Sequence, residues 1–191
     1  FIESLANPGG VVTDIRAIAD IAHEGGVPLI VDDTMASPAL CRPFEHGADI
    51  VTHSTTKFLN GHGNSIGGVI VDSGKFDWKA QGDKFPSLTQ PNGSYHGAVL
   101  VDALEPVGPI AFIIACRVLG LRDLGPAMAP QNAWLALTGM ETLALRMERH
   151  CDNALAVALF VHVRDEGLYG IGDGAQEIRM RVGLVDVRIE T

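Results

Sequence analysis

The sequence predicts an α/β fold, with a mainly parallel β-sheet flanked by helices. Three observations predict it. Residues 14–22 carry an apolar stripe behind a capping residue, residues 27–31 form a short apolar run ending in paired aspartates, and residues 49–53 and 68–72 form two more such runs. In the first segment Asp14 precedes Ile15, Ile18, Ile21 and Ala22, which fall on one face at helical spacing. An aspartate in that place accepts a hydrogen bond from an otherwise unpaired N–H of the first turn. Gly25-Gly26 then ends the helix, because glycine tolerates the backbone reversal a helix stop requires. The run VPLIV (27–31) shows no polar alternation, as expected of a strand covered on both faces. DIVTH (49–53) and GVIVD (68–72) read as further strands.

After Ser94 the texture turns helical. Helices are predicted over 110–124, 131–138 and 141–163; the last carries Leu143, Leu145, Met147, Leu155 and Val157 among charges, a stripe for core or subunit packing. A late strand is predicted at 178–184, after the glycine-rich stretch 167–174. A boundary near Thr138–Gly139 would divide the large α/β part, 1–138, from a long connecting helix and small terminal part, 139–191.

The balance of 14 basic against 23 acidic residues, a formal charge of -9 in 191 residues, argues against nucleic acid, whose phosphates need a basic surface. The 47% apolar content suits a substantial core, and no apolar run is long enough to cross a bilayer. The start of the chain lacks the charged and apolar regions of a signal peptide. Cys41, Cys116 and Cys151 are widely spaced and odd in number, which suggests neither a disulfide framework nor a metal pattern and favours a reducing cytoplasm. His53, His62 and His96 have no ligand-like spacing, so no metal is expected.

Parallel sheets bind ligands beyond the carboxyl ends of their strands. There the run 27–31 leads into Asp32, and 49–53 leads into Ser54-Thr55-Thr56-Lys57, followed by the glycine-rich loop GHGNSIGG (61–68). A carboxylate, hydroxyls and a lysine are the groups needed by pyridoxal 5'-phosphate (PLP): an amine for the Schiff base, an acid partner for the pyridine nitrogen, and donors for the phosphate. An aspartate after a strand is more often a turn residue, and such a hydroxyl-rich segment more often a solvated loop, so the residue types alone leave both readings open. Gly63-Asn64-Ser65-Ile66-Gly67 fits the G-x-S-x-G pattern of hydrolases, but a loop precedes it and a strand follows, the wrong context for a nucleophile. The same loop lacks the Lys-Ser/Thr of a nucleotide-phosphate loop.

Several stretches resemble the Cys/Met-metabolism PLP enzymes, the cystathionine synthase and lyase family: Asn7-Pro8, LIVDDT (29–34), GADIVTHSTTKFLNGHG (47–63) and IGGVIVDSG (66–74). KFPSLTQPNGSYHG (84–97), LRDLG (121–125) and GMETLALRMERHCDNAL (139–155) lie closest to its sulfhydrylase branch. The resemblance implies a PLP-dependent transferase of fold type I, the aspartate aminotransferase fold. It implies Lys57 as the Schiff-base lysine, Asp32 as partner of the pyridine nitrogen, Ser54 and Thr56 as phosphate ligands, and Asn7 beside ring and substrate carboxylate. IRMRVGLVD (178–186) resembles the segment whose arginine grips the substrate α-carboxylate, which makes Arg179 the candidate. It further implies a reaction of O-acetylhomoserine with sulfide or a thiol, with γ-synthase or γ-lyase chemistry, or a non-catalytic fragment, as alternatives. The expected assembly is a homo-oligomer, a dimer of dimers, with sites shared across subunits.

The chain departs from the family pattern in three ways. The family has a region before the position of Phe1 that supplies phosphate amides and an aromatic ring stack. Its stretch between 160 and 178 is longer, and Asp33 stands where asparagine is usual. The chain alone is therefore expected to be a poor catalyst.

Overall fold

The computed structural model describes residues 1–169, 180–182 and 185–187. Four strands form the central sheet in the order β1 (Ile2–Glu3), β2 (Ile30–Asp32), β3 (Ile50–Ser54), β4 (Gly68–Asp72). The pairings β1–β2 and β2–β3 are parallel and β3–β4 is antiparallel, so the sheet is mixed but mainly parallel as predicted. Between β1 and β2 runs helix α1 (Ile15–Glu24), capped by Asp14, whose Oδ1 accepts from the Ala17 N–H at 3.1 Å.

Strand β2 starts later than the apolar run suggests. Pro28 has no N–H to give to a ladder, and the Leu29 N–H is taken by the Asp49 side chain at 2.8 Å. Asp49 also pairs with His23 Nε2 at 2.7 Å, which ties the end of α1 to the start of β3. Strand β3 begins at Ile50, directly after Asp49.

Apolar groups fill both faces of the sheet. On one, Ile15 and Ala19 of α1 pack against Leu29, Val31, Ala48 and Val51. On the other, Ile50 packs with Trp78, Leu88, Leu100, Ala111 and Ala115. Trp78 meets Phe76 and Phe85 edge-on and stacks on Phe112 at 5.4 Å. Burying each such side chain is worth roughly 1.5–3 kcal/mol. Short helices α2 (Ser37–Leu40), α3 (Pro86–Thr89) and α4 (Leu100–Ala103) had no periodic signal, because one turn is too brief to show one. The helix predicted at 110–124 is α5 (Ala111–Ala115), which continues as a π-helical segment, Cys116–Arg122. Next come α6 (Pro130–Met140), with proline in its first turn, and the long α7 (Leu143–Tyr169). The late strand predicted at 178–184 contains β5 (Met180–Val182), which pairs antiparallel with β6 (Val185–Val187).

The corner between α6 and α7 rests on the turn after β3. A Cβ on Gly139 would meet Asn60 Cα at 2.8 Å and the Asn60 carbonyl oxygen closer still. Gly139→Ala is therefore expected to destabilise the protein by about 1–3 kcal/mol, as overpacking does. A fall of several degrees in the thermal midpoint checks this; an unchanged midpoint refutes it.

Candidate active site

Asp32 closes β2 and stands in register with Thr52 of β3. Side chains alternate along a strand, so Asp32, Thr52 and, two residues on, Ser54 share one face of the sheet. Short bonds stitch the two strand ends together. The Asp33 N–H donates to the Thr52 carbonyl at 2.9 Å, and the Ser54 N–H donates to Thr34 Oγ1 at 2.7 Å. Asp32 Oδ1 accepts from the Thr34 N–H at 2.9 Å, which holds the carboxylate at the strand's end. Among the described residues no bond engages Asp32 Oδ2 or Ser54 Oγ, so both can serve a ligand.

Lys57 lies in the segment that follows β3, Thr55–Leu59, a π-helical turn closed by Asn60 N–H donating to the Thr55 carbonyl at 3.1 Å. Lys57 departs from helical geometry there (φ −92°, ψ −127°), and its side chain is exposed. Such turns are frequent at functional sites. The glycine-rich loop folds back on the turn. The Thr55 N–H donates to the Gly67 carbonyl at 3.0 Å; Thr56 Oγ1 accepts from the Gly67 N–H at 3.1 Å and donates to the Gly67 carbonyl at 3.3 Å. The last bond is long, so the Thr56 hydroxyl hydrogen is the one a phosphate could take instead. Asn60 Nδ2 donates to Asn64 Oδ1 and Ser65 Oγ, each at 2.8 Å. Ser65 is thus buried and engaged in a loop ahead of β4, outside the strand–serine–helix setting of a hydrolase nucleophile.

Asn7 sits in the exposed turn after β1, where its backbone N–H donates to Glu3 Oε2 at 2.8 Å. Arg179 lies outside the described residues.

Asp33 projects to the opposite face from Asp32, where it is fully buried. Its Oδ1 accepts from Ser4 Oγ at 2.6 Å, while Oδ2 has no partner among the described residues. Burial, reinforced by the neighbouring Asp32 charge and only partly offset by Ser4, raises the Asp33 carboxyl to about 6. Burial and the adjacent Asp33 push the Cys41 thiol up to about 11. Burial also lowers the pKa of His53, whose Nδ1 lies 3.1 Å from the Asp33 carbonyl oxygen. Thr34 and Asp33 were not singled out in the sequence as site-building residues. The former is recognisable only from the pairing of strands 20 residues apart, the latter only from its burial.

An exposed lysine beyond one parallel strand and a half-buried carboxylate at the end of its neighbour, with hydroxyls beside them, fit PLP by donor type. Fold and residue types together match the fold type I class of PLP-dependent enzymes. The chain belongs to the Cys/Met metabolism PLP-dependent enzyme family, whose signature it matches over residues 1–166. It is 54% identical over 166 residues to the O-acetyl-L-homoserine sulfhydrylase of Leptospira meyeri, a match covering 84% of this chain and 37% of that protein. It is 51% identical over 162 residues to the homocysteine synthase of Schizosaccharomyces pombe, with the same coverage, 84% and 37%. Among solved structures it is similar to a Campylobacter jejuni chain named as an O-acetylhomoserine (thiol)-lyase, determined with N'-pyridoxyl-lysine-5'-monophosphate. The TM-score is 0.78 at 40% identity, covering 84% of this chain and 39% of the other. The chain thus spans little more than a third of the length of these relatives. No helix among the described residues is long and apolar enough to cross a membrane.

Proposed function

We propose that this chain is part of an O-acetylhomoserine (thiol)-lyase, which replaces the acetate of O-acetylhomoserine with sulfide or a small thiol to give homocysteine or methionine. The observation that carries this reading is the placing of the Lys57 turn beside the end of β2, where Asp32 keeps an oxygen free, in a chain about half identical to named sulfhydrylases. PLP, when bound, supplies an electron-accepting ring that stabilises negative charge on the substrate carbons. Lys57 would hold the cofactor covalently at rest and release it when the substrate amine takes its place. The freed amine would then carry protons between neighbouring substrate carbons, while the acetate leaves with the C–O electron pair and the sulfur of the sulfide or thiol, giving up its proton, forms the new C–S bond. Asp32 Oδ2 would accept a hydrogen bond from the protonated ring nitrogen of PLP and keep the proton there. The Ser54 and Thr56 hydroxyls donate to the phosphate, with charge-assisted strength. Asn7 and Arg179 hold the substrate carboxylate. We propose further that 1–138 belongs to the cofactor-binding domain, that 139–191 connects it to the terminal part, and that the full protein is a cytoplasmic homo-oligomer, a dimer of dimers.

The test uses the full-length protein. Borohydride reduction after PLP loading and peptide mapping should place the pyridoxyl group on Lys57, and acetate release from O-acetylhomoserine should require sulfide or thiol. A pyridoxyl group on another lysine, or acetate release indifferent to thiol, overturns the proposal.

A further inference from the structure

Arg146, on α7, lies 89 positions after Lys57 in the chain yet reaches the turn that carries it. Its Nη1 donates to the Phe58 carbonyl at 2.9 Å, and its Nη2 to the Leu59 carbonyl at 3.5 Å and the Gly139 carbonyl at 2.8 Å. Its Nε donates to Thr142 Oγ1 at 3.1 Å, which orients the guanidinium. The turn cannot satisfy these carbonyls from within. The Gly61 N–H reaches back to the Lys57 carbonyl at 2.8 Å, and Gly61 then leaves the helix with φ +75°. Phe58 and Leu59 are therefore left with the unpaired acceptors of a helix end, and a fixed cation there meets both the hydrogen-bonding need and the negative end of the dipole. The approach is close enough that a Cβ on Gly61 would collide with the Arg146 guanidinium. Around it, His150 packs its ring on Phe58 with centroids 5.2 Å apart, and Leu143 and Met147 bury Leu59.

We infer that Arg146 is a positioning residue for Lys57: it caps the lysine turn from another helix and fixes where the lysine backbone sits. An arginine suits this because its planar fork offers several donors in fixed directions, which a lysine ammonium does not. Without it, the Phe58 and Leu59 carbonyls turn toward water, the turn gains alternative geometries, and the amine spends less time where the cofactor aldehyde can be reached. The inference rests on Lys57 being the cofactor lysine.

The experiment follows covalent capture of PLP by the full-length apo-protein, by visible absorbance and by borohydride trapping, well below each variant's thermal midpoint. Arg146→Ala is expected to slow capture and lower kcat about tenfold or more, with KM changed much less, as loss of charge-assisted bonds to a reacting segment does. Arg146→Lys should recover part of the rate, and Arg146→Gln, which keeps one donor group, gives a second reading if the alanine variant does not fold. Ala19→Gly, on the buried face of α1 away from the turn, weakens the fold without touching the site and should capture PLP at the parent rate. Capture at the parent rate in Arg146→Ala or Arg146→Gln, or equal slowing in Ala19→Gly, overturns the inference. Failure of the parent protein to trap PLP on Lys57 instead removes the premise.

Discussion

Asp32→Asn is expected to leave PLP attached to Lys57 while turnover of O-acetylhomoserine with sulfide falls by about two powers of ten or more. The substitution keeps the local architecture: an amide oxygen can replace Asp32 Oδ1 as acceptor for the Thr34 N–H. The charge is what changes. Removing one partner of a desolvated ion pair costs about 3–5 kcal/mol, and each 1.4 kcal/mol is about tenfold. Asp32 is half-buried, so the lower end of that range applies before the cofactor covers it. The neutral amide no longer holds a proton on the ring nitrogen, and the ring accepts electrons less readily; the linkage to Lys57 does not depend on that proton. Visible absorbance and borohydride trapping report the linkage, and acetate release reports turnover. Turnover near the parent value would show that Asp32 does not face the nitrogen; loss of cofactor would assign it a binding role only.

Much of this site is legible in the sequence because its groups lie next to strand ends, and strand ends are marked by apolar runs. The predicted 68–72 coincides with β4, and Asp14 does cap α1. The placing of Asp32 and Asp33 on opposite faces follows from the period of two alone. Other features depend on encounters distant in sequence. Nothing local in the segment 54–57 shows that its turn ends in unpaired carbonyls or that Arg146 supplies their donors. Nor does the run 27–31 reveal that Asp49 diverts the Leu29 N–H and delays β2. Nor does the sequence show that Lys57 itself is exposed while the turn beneath it is packed. The predicted strand 178–184 contains β5 and ends before β6, its antiparallel partner.

Asp33→Asn is expected to raise stability at neutral pH and to remove a pH dependence that the parent protein carries between about pH 4 and 6. Asp33 is fully buried, its Oδ2 lacks a partner among the described residues, and Asp32 adds like charge alongside. The folded state therefore holds the proton more tightly than the unfolded chain, with the carboxyl raised from 3.8 to about 6. A carboxyl raised in this way contributes its stability in full below the unfolded value. That contribution is lost as pH rises toward the folded value and stays lost above it. Two units of difference correspond to about 3 kcal/mol at 1.36 kcal/mol per unit. Asparagine has no charge to bury and keeps an acceptor for Ser4 Oγ, although its amide N–H groups meet the same shortage of partners as Oδ2. The net gain at pH 7.5 is thus expected to be about 1–3 kcal/mol. His53, beside the same carboxyl, titrates in both proteins, whereas the Cys41 thiol, raised to about 11, stays protonated across the range, so the informative quantity is the stability of Asp33→Asn minus that of the parent. Denaturant unfolding of the full-length protein from pH 4 to 8 measures it. The difference should grow in favour of the variant from pH 4 to about 6 and then level off. A difference flat across that range, or one that grows toward acid, would mean that Asp33 is ionised and satisfied in the folded protein.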